Sequence, residues 1–142
     1  MNHTLGKRKK HTLISVENLS VHFKMKDQTV KAVDNVSFDI YAGETLAIVG
    51  ESGSGKSVTA LSMMRLTDYS GGQIVSGKIT FSEQSGEVIT LSEMSQKDMR
   101  IVRGNDLSMI FQEPMTSLNP VFTIGMQVSE AIMKHQNKTK IE

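Results

Sequence analysis

Cysteine is missing from all 142 residues. Disulfides and thiolate metal sites are therefore excluded, and the composition fits a reducing compartment. Long apolar runs are missing too: none approaches the ~20 residues that a helix needs to cross a bilayer. The basic cluster Lys7, Arg8, Lys9 and Lys10 is not followed by an apolar segment, so it does not read as a secretory leader. It reads as part of a disordered tail, residues 1–11, ahead of one domain over 12–142. No charge dominates either. Sixteen basic and 15 acidic residues leave a net charge of +1, which argues against a dedicated nucleic-acid binder. His3, His11, His22 and His135 are scattered without metal-ligand spacing. No internal repeat or low-complexity tract is present. What remains is ordinary: 38% hydrophobic and 22% charged residues, enough for a real core.

Along the chain, TLISVENLSVHF alternates and is rich in β-branched residues, which predicts a strand. KMKDQT reads as a turn, and VKAV and VSFDI as two short strands, the second with Val36, Phe38 and Ile40 on one face. After a break at Tyr41–Gly43, TLAIVG reads as a short strand buried on both faces of a parallel sheet. KSVTALSMMRLT has helical spacing, with Val58, Leu61 and Met64 inward beside Ala60. IVSGKITF and EVITL read as two strands of a small antiparallel insert, and Ser95 to Asp98 as the capped start of a helix ending near Gly104. DLSMIFQ returns to a buried strand, Pro114 and Pro120 bracket an irregular segment, and a last amphipathic helix carries Ile124, Val128, Ala131 and Ile132. Met63, Met64, Met109, Met126 and Met133 read as core filler.

The segment GESGSGKS, Gly50 to Ser57, sits between the apolar strand TLAIVG and the first helix. Gly50, Gly55, Lys56 and Ser57 fill the pattern G-x-x-x-x-G-K-[ST] in the context that gives it meaning. Small side chains let successive backbone N–H groups converge on a phosphate. The following helix adds its unpaired N–H groups and the positive end of its dipole. Lys56 adds a full charge, and the Ser57 hydroxyl is the expected Mg2+ ligand. A flexible turn would need neither Lys56 nor Ser57. The stretch is therefore read as a nucleotide phosphate cradle. Gln112, at the end of the DLSMIFQ strand, is of a type that can reach a magnesium ion and an attacking water.

The runs VENLSVHF, AVDNVSF and GETLAIVGESGSGKSVTALSMMRL, followed by FQEPMTSLNPVF, resemble the ATP-binding subunits of ABC transporters. The resemblance is strongest to the importers of dipeptides, oligopeptides, nickel and glutathione, and spans about Thr12 to His135. It implies an α/β fold: an incomplete P-loop NTPase core with a small antiparallel β insert. It implies that Gly50, Glu51, Ser52, Gly53, Ser54, Gly55, Lys56, Ser57 and Val58 contact ATP, with Lys56 and Gln112 catalytic and Ser57 and Gln112 near Mg2+. Phe23 falls where the family places an adenine-stacking aromatic, and equally fits a strand core. Glu113 to Asn119 would face a transmembrane permease. The implied partners are a second ATPase subunit, the permease and, indirectly, an extracytoplasmic substrate-binding protein. The implied location is peripheral, at the cytoplasmic face of the membrane.

The family also uses an LSGGQ-type signature, a carboxylate motif ending an apolar strand (Walker B) and a switch histidine, all beyond the Gln112 position. None occurs before Glu142. YSGGQI, Tyr69 to Ile74, imitates the signature but precedes Gln112 and leads into strand-like sequence, so it reads as a loop. The expectation is the N-terminal portion of an importer ATPase, hydrolysing ATP poorly or not at all by itself. Two alternatives stand beside it: a non-catalytic nucleotide-binding remnant or regulatory module, and a different P-loop enzyme such as a kinase, which would have no use for FQEPMTSLNP.

Overall fold

The computed structural model describes residues 11–83, 85–112 and 117–136. The chain divides between Met94 and Ser95 into two compact units. Residues 1–10 of the expected tail lie outside the described residues; His11 is described and hydrogen-bonds Ser82 Oγ at 3.2 Å.

The first unit rests on a four-stranded antiparallel sheet. Strands β1 (Thr12–Lys24) and β2 (Thr29–Tyr41) form a long hairpin, closed where the Met25 N–H donates to the Gln28 carbonyl at 2.8 Å. Strand β3 (Gly72–Ser82) pairs with the other side of β1, and β4 (Val88–Thr90) with β3, giving the order β2-β1-β3-β4. The core holds Ile14, Val16, Leu19 and Val21 of β1, Val33 of β2, and Ile79 and Phe81 of β3. Each such aliphatic or aromatic side chain contributes about 1.5–3 kcal/mol on burial.

A shared irregularity crosses this sheet. In β1 the buried positions run Ile14, Val16, then Leu19, Val21, so the period-2 phase slips by one residue at Glu17–Asn18. Asn18 has φ 49°, Asn35 in β2 has φ 54° and Gly77 in β3 has φ 93°. Left-handed residues of this kind insert the extra residue of a bulge, and asparagine and glycine tolerate the conformation best. A Cβ on Gly77 would lie 2.5 Å from the Asn18 carbonyl oxygen. Side chains close the defect: Ser37 Oγ accepts from the Asn18 N–H at 2.8 Å, and Ser20 Oγ from the Asn35 N–H at 3.0 Å. VKAV and VSFDI, expected as separate strands, are thus one strand with a bulge between them.

Two expected strands do not form. Residues 45–49 of TLAIVG have no strand pairing, and Val49 is 87% exposed. In the second unit, DLSMIFQ makes only one isolated bridge, Arg103 with Leu107, and Ile110 is 92% exposed. An apolar run becomes a buried strand only when neighbouring strands take its backbone N–H and C=O groups. Among the described residues no strand does so for either segment.

Helix α1 (Lys56–Met63) follows the glycine loop. Its buried positions are Thr59 and Ser62, with Met64 just past its end; Val58 and Leu61 are half-buried. The inward stripe is therefore more polar than the apolar spacing predicts. Thr59 Oγ1 donates to the Gly55 carbonyl at 2.9 Å and Ser62 Oγ to the Val58 carbonyl at 2.7 Å, so both hydroxyls are satisfied while buried. The helix stops at Arg65, held at φ 54°, where the Leu66 N–H reaches the Leu61 carbonyl and the Arg65 N–H the Ser62 carbonyl.

In the second unit, α2 (Gln96–Val102) starts at Ser95, whose Oγ accepts from the Asp98 N–H at 3.2 Å and donates to Asp98 Oδ2 at 2.6 Å. Met99 and Val102 are its buried residues. Helix α3 (Ile124–Gln136) forms as expected, but Ile124, Met126, Val128, Ile132 and Met133 are exposed. Of the methionines expected as core, Met64 is buried and Met126 and Met133 are not. Among the described residues no helix is long and apolar enough to cross a membrane.

Candidate functional site

The glycine loop is shaped by three observations. Gly53 and Gly55 have φ +80° and +87°, a region that side chains other than glycine enter at a cost. Gly55 is the N-cap of α1, and a Cβ there would collide with the Ala32 carbonyl oxygen of β2. A Cβ on Gly50 would lie 2.7 Å from Ser54 Oγ, so the loop folds back on itself. By contrast, nothing lies within 4 Å of a Cβ placed on Gly53, which faces open space.

Lys56 closes the loop from within. Its Nζ donates to the Gly50 carbonyl at 2.8 Å, the Glu51 carbonyl at 2.5 Å and Ser54 Oγ at 3.4 Å. The ammonium group thus braces the backbone whose amides would meet an anion. Beside it lies a cavity of about 230 Å³ lined by Val30, Lys31 and Ala32 of β2 and by Gly53 to Val58. The open side of Gly53, the Lys56 charge, the exposed Ser57 hydroxyl and the first turn of α1 form a donor set suited to a phosphate with a bound divalent cation. Gly53, Ser54, Gly55, Lys56, Ser57 and Val58 are brought together around this cavity, while Gly50, Glu51 and Ser52 complete the loop.

Phe23 does not line this cavity. Phe23 pairs with Val30 across the hairpin, and its ring covers Gly72, where an added Cβ would lie 2.7 Å from Phe23 Cζ. Gln112 is exposed and belongs to the second unit. Glu113 to Thr116 lie outside the described residues. YSGGQI ends a 3-10 turn at Gly71, φ +80°, and enters β3 at Gly72, in keeping with a connecting loop.

Sequence reasoning passed over Lys31, Arg65 and Gln127. Lys31 lies 19 positions before Gly50, the start of the loop, and carries no motif. Arg65 looks like one more surface cation after a helix. Yet its Nε and Nη2 donate to Asp68 Oδ2 at 3.0 and 2.7 Å. Its Nη1 reaches the carbonyls of Leu91, Ser92 and Met94 at 3.4, 2.8 and 3.1 Å, tying the end of α1 to the segment after β4. In the second unit, the Gln127 amide accepts from the Asn119 N–H and donates to the Asn119 and Phe122 carbonyls, fixing the turn ahead of α3.

Comparison with known proteins bears on what this loop belongs to. The model of the family described as ABC transporter matches residues 33–141, well over half of the chain. The chain belongs to the ABC transporter family. Membership implies ATP binding and hydrolysis at the level of the family. The chain is 56% identical over 130 residues to the glutathione import ATP-binding protein GsiA of Shigella boydii serotype 4, and 55% to that of Escherichia coli K12. In both cases the match covers 92% of this chain and 21% of the relative, so the chain spans about a fifth of the length of these relatives. The fold resembles the dimeric structure of MJ0796, a bacterial ABC transporter cassette, with TM-score 0.71, 23% identity and coverage of 87% of this chain and 48% of that one. The post-hydrolysis state of the same cassette, bound to ADP and Pi, matches with TM-score 0.70 at 21% identity over 89% and 50% of the two chains. The first unit's antiparallel sheet and the glycine loop are therefore parts of an ABC ATPase fold.

Proposed function

We propose that this chain supplies the ATP-gripping part of an importer ATPase that drives uptake of peptides or a related small solute, glutathione among them, through a membrane permease. The observation that carries the reading is the glycine loop, closed by Lys56 over the start of α1 and open to a cavity at Gly53. The similarity to glutathione import proteins supports the solute class. Gly50 to Val58 bind the phosphates, Lys56 orients the loop and offsets charge, and Ser57 holds Mg2+. When bound, Mg2+ supplies charge neutralisation of the phosphates. Gln112 orients water and metal. Phe23, alongside its packing on Gly72, offers a ring to adenine. A second ATPase subunit completes the site, and the assembly sits peripherally at the cytoplasmic face of the membrane.

The test is titration of the protein with MgATP, comparing the native sequence with Lys56→Ala. The native protein is expected to bind and the variant to lose at least tenfold in affinity, since a charge-assisted phosphate contact and the loop brace go together. Equal affinity of the two, with circular dichroism showing both folded, would overturn the assignment. The 142 residues alone are expected to turn over ATP slowly, and rapid Lys56-dependent turnover would refute that part.

A further inference from the structure

We infer that Lys31 is a second cationic contact for the polyphosphate, contributed by the sheet and not by the glycine loop. The inference rests on the nucleotide reading of the cavity and extends it to a residue that the loop pattern does not include. Strand β2 is the outer strand of the sheet, paired only with β1, so its free side can face another element. At residues 30–32 that element is the glycine loop. The Ala32 carbonyl abuts Gly55, and Val30, Lys31 and Ala32 line the same cavity as Gly53 to Val58.

Two lysines therefore line one cavity of about 230 Å³. They are not equivalent. Lys56 Nζ is already shared among two carbonyl oxygens and Ser54 Oγ. Lys31 is exposed, and among the described residues its side chain makes no hydrogen bond or ion pair. An anion entering the cavity can engage Lys31 without breaking any existing contact, whereas Lys56 must divide its donors between the loop and the ligand. Lysine suits the role because its compact charge on a flexible stem needs no fixed fork geometry. The ligand class is a nucleoside polyphosphate. A nucleoside without phosphates would gain nothing from Lys31.

The experiment is calorimetric titration of the full chain with MgATP and with adenosine, using the native sequence, Lys31→Gln, Lys31→Arg and Lys56→Ala. Lys31→Gln is expected to weaken MgATP binding about three- to tenfold, the range for a partly solvated charge contact, with Lys31→Arg close to native. The loss should shrink as salt is raised. Since Lys31 is exposed, circular dichroism should show each Lys31 variant folded. MgATP affinity of Lys31→Gln within threefold of native, while Lys56→Ala loses binding, overturns this inference and leaves the nucleotide site standing. Absence of MgATP binding to the native chain overturns both.

Discussion

Gly55 and Gly53 offer a controlled pair, because both have left-handed backbones but only one is crowded. Placing alanine at either position forces a Cβ into positive φ, at a cost of about 1–2 kcal/mol. At Gly53 that is the whole cost, since nothing lies within 4 Å of the added carbon. At Gly55 the carbon would also meet the Ala32 carbonyl oxygen, with Val33 Cγ2 at 3.5 Å. The obstacle is backbone of a paired strand, so it cannot swing aside as a side chain would. Overpacking of this kind adds about 1–3 kcal/mol. Gly55→Ala should thus be less stable than Gly53→Ala by about 1–3 kcal/mol. Urea unfolding followed by far-UV circular dichroism reads this directly. With a slope of about 1–3 kcal/mol per molar, the two midpoints should be separated by roughly 1 M. Coincident midpoints, or Gly53→Ala as the weaker variant, would refute the claim that β2 supports the loop through Gly55.

Two further predictions concern single side chains. Arg65→Ala removes the links to Asp68 and to the carbonyls of Leu91, Ser92 and Met94, and should destabilise the first unit by about 2–4 kcal/mol in denaturant titration. Arg65→Lys should recover less than half of that loss, because one ammonium cannot span all the acceptors; a change below about 0.5 kcal/mol for the alanine variant would contradict the clasp. Ser95→Ala takes the cap from α2 and should cost about 1 kcal/mol, with Ser95→Thr retaining most of it. Unaltered hydrogen exchange at the Asp98 amide in Ser95→Ala would count against the cap.

Much of this molecule could be read locally. The hairpin of β1 and β2, the antiparallel pair β3 and β4, the helix after the glycine loop and the Ser95 cap all follow from alternation, turn chemistry and short-range spacing. So does the glycine loop of Gly50 to Ser57, whose residues are neighbours in sequence and whose left-handed turns at Gly53 and Gly55 are set by the backbone; the phosphate role proposed for it comes from that same local pattern. The bulge was half visible: the buried phase moves from Ile14 and Val16 to Leu19 and Val21, with an asparagine between. TLAIVG and DLSMIFQ were misread as strands because apolar content states what a segment would bury and not whether partners are present to take its hydrogen bonds.

Sequence by itself determined the elements whose cause lies within a few residues: strand alternation, the Ser95 helix cap and the glycine loop ahead of α1. Only the tertiary structure decided that Lys31 borders that loop, that Arg65 ties α1 to residues 91–94, and that Phe23 covers Gly72. Those contacts join residues 20 or more positions apart, apart from any short motif. The Phe23 and Lys31 placements depend on the register of β1 against its two neighbours, where a one-residue slip at a bulge changes every contact beyond it, and the Arg65 links depend on how residues 91–94 pass the end of α1.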